Sequence, residues 1–341
     1  DPSLATALPW HDEVLLRAHT APSHLAEIAA AAAAAGNDDA ARVLDNLPDE
    51  RRHLARISGG GGHPRTARWA AARIQHLPAH PPYELELDVM GRMVLRRDGV
   101  EVVDTDWTGR VRVRQLLAYL VHHRRVSRRR LVDDLWPELE ATKALQNLRV
   151  NLTHLQRVLQ PERKRSDPPW FVRATEQTIA LETAGLVIDA DRLDDLHRQA
   201  RALDGAGRSS DATEAYRRVL ELELDRGEYL EEFPDADWAE VDRARLHALT
   251  LGARCRLGEL LLARGEPEES VVEASTVLRS EPLHERAARL LADGLSAQGD
   301  RAAARRTMTD VLERLTDHRL RPEPATIKVA ERLGLTPEGP H

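Results

Sequence analysis

From residue 1 to about 77 the apolar positions recur at helical spacing. An Ala-rich stretch runs from Ser23 to Ala35, breaks at Gly36-Asn37, and is followed by a run from Asp38 to Leu47 and a short run opening at Pro48. Ser58-Gly59-Gly60-Gly61-Gly62 reads as a flexible connector, and a further helix from about Pro64 to Leu77 ends at Pro78. Beyond Pro81-Pro82 the period changes to two: Tyr83, Leu85, Leu87 and Val89 alternate with Glu84, Glu86 and Asp88, as in a strand with one buried face. Asp98-Gly99, between Val94-Leu95 and Val100 to Val103, predicts a hairpin, because a type I′ turn needs positive φ at both central residues. Three helices follow, about Arg110 to His122, Arg128 to Trp136 with Ser127 as N-cap, and Ala141 to Leu159. The second stops before Pro137, where the proline ring disfavours helical backbone in its predecessor. Trp170 to Ala174 and Thr178 to Glu182 then flank Thr175-Glu176-Gln177 as a second hairpin.

From Asp189 onward the pattern is helical and repeats itself. Gly207, Gly265 and Gly299 each precede a helix with a leucine 13 residues on, at Leu220, Leu278 and Leu312. The last two glycines are 34 residues apart, the tetratricopeptide period of paired helices joined at a tight turn. Gly36-Asn37-Asp38-Asp39-Ala40 resembles the same turn near the other end of the chain.

The third helix of the central region divides cleanly into two faces. Leu145, Leu148, Leu152, Leu155 and Leu159 step by three and four into one apolar stripe. The opposite face collects Lys143, Gln146, Asn147, Val150, Thr153, His154 and Arg157, with Arg149 and Asn151 on the flanks. Such a face fits the major groove: Arg forks onto guanine, Asn or Gln pairs with adenine, and Val meets a thymine methyl. Arg124, Arg125, Arg128, Arg129 and Arg130 cluster where the second helix begins, and its free N–H groups and adjacent cations fit a phosphate. Arg173 lies on the second hairpin, within reach of a neighbouring groove or phosphate. A lone amphipathic helix is usually an ordinary solvated one; the three elements in this order favour DNA.

Charge changes the picture only when it is divided. The 341 residues carry a formal charge of −7, which argues against general polyanion binding. Residues 83 to 182, however, hold 18 basic and 15 acidic side chains, whereas residues 183 to 341 hold 23 and 32 and residues 1 to 82 hold 8 and 9. The central region is the net-positive one, though by a margin that predicts modest affinity unless a second copy assists. The length implies two or three domains. We place a helical segment with a Gly-rich connector at 1–80, a DNA-binding domain at 83–182 and a helical-repeat domain at 187–335.

The central and C-terminal regions resemble a known family, the bacterial transcriptional activator domain (BTAD) regulators of the Streptomyces antibiotic regulatory protein type. The likeness covers about residues 83 to 335 and rests on Arg114-Gln115-Leu116-Leu117-Ala118-Tyr119-Leu120, Val126-Ser127 through Leu131, Leu135-Trp136-Pro137, and Asn147-Leu148-Arg149-Val150 through Leu155. Trp238-Ala239-Glu240, Arg243-Ala244-Arg245-Leu246 and Pro282-Leu283-His284-Glu285-Arg286 look like the family's activator domain. The resemblance implies a mainly α fold with a small β component. An OmpR-type winged helix-turn-helix would be followed by tetratricopeptide-like repeats and preceded here by a short helical segment. It implies a cytoplasmic, DNA-binding activator that binds promoter repeats through the third helix and meets RNA polymerase or other transcription proteins through the repeats. The loop carrying Glu138 and Glu140 occupies the place where OmpR-type domains touch polymerase. The sequence departs from the family at the wing, where Glu176 stands in a position that would repel phosphate. A homodimer on repeated half-sites would gain effective concentration. The alternative reading is a protein-interaction scaffold whose winged helix has lost strong DNA binding.

Other chemistries are poorly supported. The basic residues are 46 Arg and three Lys (Lys143, Lys164, Lys328), a skew that points to a GC-rich, actinobacterial coding sequence. With no Gly-x-x-x-x-Gly-Lys-Ser/Thr the chain lacks a P-loop, and no catalytic set stands at a sensible spacing, so neither an enzyme nor a cofactor is expected. The histidines, including His11, His19 and the adjacent His122-His123, form no metal-ligand pattern. Lone Cys255 among Leu251, Leu257 and Leu260 reads as packing. No run approaches a membrane span, so no membrane contact is expected, and a chain opening at Asp1 without a signal-peptide pattern is expected to be part of something longer.

Overall fold

The Ala-rich N-terminal stretch becomes helix because alanine loses no side-chain freedom there. In a computed structural model that describes residues 22–45, 50–60, 63–78 and 80–335, it forms α1 (Pro22–Ala34), followed by α2 (Asp38–Asp45), α3 (Glu50–Gly59) and α4 (Pro64–His76). Expectations concerning His11, His19, Pro48 and Gly61-Gly62 lie outside the described residues. Ser58 and Gly59, read as the start of a connector, instead close the last turn of α3, where the Ser58 hydroxyl donates to the Ala55 carbonyl at 2.9 Å. Ala26, Ala29, Ala30, Val43, Leu44, Leu54, Ile57 and Ala70 form the core of these helices.

The described residues fall into two compact units, one of residues up to Leu85 with Arg96–Leu186, the other of Glu86–Leu95 with Val187 onward. Strands β1 (Leu85–Asp88), β2 (Val94–Arg97), β3 (Val100–Glu101) and β7 (Leu186–Ile188) form a sheet ordered β3-β2-β1-β7. Asp98 at φ 49° and Gly99 at φ 78° make the two-residue turn that the Asp-Gly pair predicts.

In the first unit a short helix α5 (Thr105–Thr108) leads into α6 (Val111–His123), strand β4 (Arg125–Ser127), α7 (Arg128–Leu135) and α8 (Ala141–Leu159), and the hairpin β5 (Val172–Ala174) and β6 (Thr178–Leu181) closes it. Ser127 caps α7 by accepting the Arg130 N–H at 3.2 Å. Strand β4, too short to show an alternation in the sequence, pairs antiparallel with β6, placing Val126 opposite Ile179 in a sheet ordered β4-β6-β5. Leu116, Leu117 and Leu120 of α6, Leu131 and Leu135 of α7, and Leu148, Leu152 and Leu155 of α8 are buried together with Tyr119 and Phe171. Each fully buried leucine contributes about 2 kcal/mol. The expected stripe on α8 needs one correction: Leu145 is 37% exposed, while Ala144 and Val158 are buried. The buried face therefore lies one helical position round from Leu145 at the start of α8.

The second unit is three helical hairpins and a closing helix: α9 (Asp189–Gly205) with α10 (Ser209–Arg226), α11 (Glu240–Ala263) with α12 (Pro267–Ser280), α13 (Glu285–Ala297) with α14 (Arg301–Asp317), then α15 (Pro324–Arg332). Gly207, Gly265 and Gly299 all have positive φ. At each, the following residue donates back to the carbonyl five before it, Arg208 to Leu203, Glu266 to Leu261 and Asp300 to Leu295. This is a Schellman end, which needs a left-handed residue and therefore favours glycine. Asn37 does the same with Ala32 after Gly36, so the fourth turn read from the sequence has the same geometry. Residues 86–95 are stitched into this unit through buried Asp189, which accepts N–H groups from Val89 at 2.8 Å and Met90 at 3.1 Å.

Candidate nucleic-acid interface

Helix α8 presents its polar face in two chemically different halves. In the N-terminal half Lys143, Gln146, Asn147, Arg149 and Val150 are all exposed. Among the described residues, no side chain pairs with the Lys143 ammonium or the Arg149 guanidinium. The Asn147 backbone carbonyl accepts from Asn151 Nδ2 at 2.9 Å, while its exposed side-chain amide has no hydrogen bond among the described residues.

The C-terminal half is engaged within the protein. Asp106, on α5, places Oδ2 at 2.8 Å from Nδ1 of His154 and 3.1 Å from Nη1 of Arg157, and its Oδ1 accepts from Arg110 at 2.9 Å. The close contact with His154, opposed by burial and aided by the Arg110 bond, holds the Asp106 carboxyl below the ordinary carboxylate range. His154 is thereby half-buried, although the helical wheel places it with the groove readers. Asp106 does not stand out in the sequence as a site residue. The signal for it is Asp104-Thr105-Asp106, since Asp104 caps α5 by accepting the Asp106 N–H at 2.7 Å.

The arginine cluster is likewise divided. Arg128 ties the first turn of α7 to the hairpin, its backbone N–H donating to Gln177 at 2.8 Å and its Nε to the Thr175 carbonyl at 2.7 Å. Burial, and then the neighbouring Arg149 charge, pull its pKa below the ordinary value. Arg128 of α7 therefore feels the positive charge of Arg149 on α8, and a bound anion would relieve that repulsion. Arg129 and Arg130 are exposed and stand 3.8 and 3.7 Å from Asp133 and Asp134, distances typical of weak surface pairs. Arg124, at φ 57°, ends α6 and is half-buried. Arg125 is also half-buried, and burial, aided by Arg173, draws it down to about 10.

Arg173 points elsewhere than expected. Its guanidinium contacts Glu182 at 3.1 Å and Glu50 of α3 at 3.4 Å, and lies 5.7 Å from the centre of the Trp170 ring. Glu50 is 1% exposed and also meets Arg73 of α4 at 3.2 Å. Burial pushes Glu50 up to about 7, against the pull of Arg173. Two carboxylates therefore already occupy the cation assigned to phosphate from the sequence. A hollow of about 360 Å³ beside them is lined by Glu50, Arg73, Gln156 and Arg173.

In the loop before α8, Glu138 is exposed and 3.9 Å from Arg112, and Glu140 is the N-cap residue, its carboxylate accepting from the Thr142 hydroxyl at 3.2 Å. The rings of His122 and His123 have centres 4.4 Å apart. Cys255 is buried against Leu251, Val277 and Ala287, and burial raises its thiol to about 11. No helix among the described residues is long and apolar enough to cross a membrane.

A helix-turn-helix closed by a three-stranded wing, followed by paired-helix repeats, defines a winged-helix protein fused to a helical-repeat domain. Residues 188–333 match the family model of the bacterial transcriptional activator domain, and the chain carries that domain. It is similar to Regulatory protein AfsR of Streptomyces coelicolor, 28% identical over 267 residues, which are 76% of this chain and 26% of that protein. The chain therefore spans about a quarter of that relative's length. Its fold is similar to Mycobacterium tuberculosis EmbR, solved in complex with a low affinity phosphopeptide, with a TM-score of 0.65 and 21% identity over 74% of this chain and 65% of that one.

Proposed function

We propose that this protein is a transcriptional activator that binds promoter DNA through residues 83–182 and meets RNA polymerase or other transcription proteins through residues 187–335. Lys143, Gln146, Asn147 and Val150 enter the major groove, while Arg128, Arg149, Arg129 and Arg130 hold phosphates, with Arg124 and Arg125 as supports behind them. Glu138 and Glu140 are offered to a basic surface of the polymerase. The observation that carries the reading is the exposed polar face of the N-terminal half of α8, where Lys143 and Arg149 have no side-chain partner among the described residues. The activator domain at residues 188–333 and the likeness to a regulatory protein support the second half of the proposal.

Selection from a random duplex pool, followed by a salt titration on the enriched site, tests it. DNA binding predicts that log K falls by about 0.9 per phosphate contact as log salt rises. The Glu50 and Glu182 contacts of Arg173 favour the second reading, a protein-interaction scaffold with a winged helix that no longer holds DNA firmly. Absence of any enriched sequence or measurable affinity at low salt supports that alternative and rejects the first.

A further inference from the structure

We propose that the hollow between α9 and α11 of the repeat domain is a docking groove for an acidic peptide segment of a partner protein. Residues 183 to 341 hold 23 basic and 32 acidic side chains, so a cationic hollow runs against the character of the domain around it. It measures about 580 Å³ and is lined by Asp194, His197, Arg198, Arg201, Arg245 and Leu249. Positions 194, 197, 198 and 201 fall on one face of α9, and Arg245 and Leu249 stand one turn apart on α11.

The arginines of this hollow have different duties. Arg245 is structural: it donates two bonds to Asp194, at 2.7 and 3.0 Å, and one to Asp242 at 2.9 Å, which fixes the spacing of the two helices. Farther along the same helix pair Arg256 grips Asp204 through two bonds of 2.7 Å. Arg201 carries the spare charge. It is exposed, and among the described residues it has no hydrogen bond or ion pair, while Arg198 is held by the surface residue Asp195 at 2.7 Å, a contact weak enough to exchange. Burial, and then the Arg201 charge, lower the pKa of His197, as expected beside a cation that nothing neutralises.

A forked guanidinium receives a carboxylate through two parallel bonds, and Arg198 and Arg201 lie close to one turn apart, within reach of successive acidic side chains of an extended chain. Leu249 and Ala202 supply apolar wall between these charges, which an inorganic anion would leave unused. The leading helices of consecutive hairpins form the surface that repeat proteins commonly give to such segments.

The test uses the full chain and a fluorescein-labelled hexaglutamate peptide, read by fluorescence anisotropy at low salt. The wild type binds it in preference to hexalysine, Arg201→Glu weakens binding at least about tenfold, and Arg201→Lys stays within about threefold. The exposed Arg306→Glu, which makes the same change of net charge outside the hollow, leaves binding unchanged. Circular dichroism confirms that each variant is folded, and Arg201→Gln serves in place of Arg201→Glu if the reversal unfolds the domain. Equal binding by wild type and Arg201→Glu, or an equal loss in Arg306→Glu, overturns the proposal. Displacement of the peptide by millimolar inorganic phosphate or by unrelated duplex DNA assigns the hollow to phosphate and overturns it as well. The outcome does not depend on whether α8 binds DNA.

Discussion

The carboxylate of Asp106 lies 2.8 Å from Nδ1 of His154, so an acid from a four-residue helix rests against the face of α8 that the helical wheel gives to DNA. The same oxygen reaches Arg157 at 3.1 Å. One carboxylate thus engages two side chains in the C-terminal half of the helix and leaves the N-terminal half without such a partner.

Replacing that anion is expected to release both side chains. Asp106→Asn should raise affinity for duplex DNA of any sequence and steepen the salt dependence by about 0.9 in log K for each additional phosphate neutralised. Anisotropy titrations across a range of salt measure this; an unchanged slope would show that Arg157 and His154 do not face DNA once freed.

The two halves of α8 should also respond differently to truncation. Asn147→Ala is expected to weaken the selected site by about 1 to 3 kcal/mol and relax the preferred base at one position, as loss of a base contact does. Arg157→Ala is expected to cost less than about 1 kcal/mol, because its exposed ion pair with Asp106 already satisfies it. Competition with single-base variants of the selected site separates these outcomes, and a larger loss for Arg157→Ala than for Asn147→Ala would reverse the assignment.

Glu50 makes the first unit sensitive to pH. Its pKa rises from 4.5 to about 7 in the folded chain, so through that window the folded state holds more protons than the unfolded one, and stability falls as pH rises. The amount is on the order of 3 kcal/mol. Urea midpoints at about pH 5 and about pH 8 should therefore differ for the wild type and converge in Glu50→Gln, which carries no charge at either. Asp189, raised to about 6 by burial despite the Val89 and Met90 N–H groups, gives the second unit the same sign over a lower window.

The correction to the α8 stripe is testable through packing alone. Leu148→Ala, at a fully buried position, is expected to destabilise by about 2 to 5 kcal/mol, and Leu145→Ala, at an exposed one, by about 0.5 kcal/mol or less. Thermal or urea unfolding of both variants checks this, and equal losses would put Leu145 back in the core.

Local chemistry made much of the architecture legible in advance. Asp98-Gly99 requires a two-residue turn, Ser127 caps α7, and Gly207, Gly265 and Gly299 end their helices left-handed, because each depends on one residue and its near neighbours. The alternation from Tyr83 to Val89 and the leucine steps of α8 are periodic, so a strand and an amphipathic helix follow from spacing. The same steps do not say which edge of the stripe is buried, and Leu145, which the spacing puts within it, faces solvent.

Tertiary structure decided which charges remain available. Arg157, His154 and Arg173 read as DNA contacts because a sequence shows a polar side chain but not its partner. Their carboxylates, Asp106 and Glu50, stand 51 residues from Arg157 and 123 from Arg173, distances over which no periodicity carries information. The spare charge of Arg201 on an acidic domain has the same origin. The sequence determined the helices, turns and repeats through local preference. The fold decided which cations are neutralised and which face solvent, because ion pairing depends on separation in space.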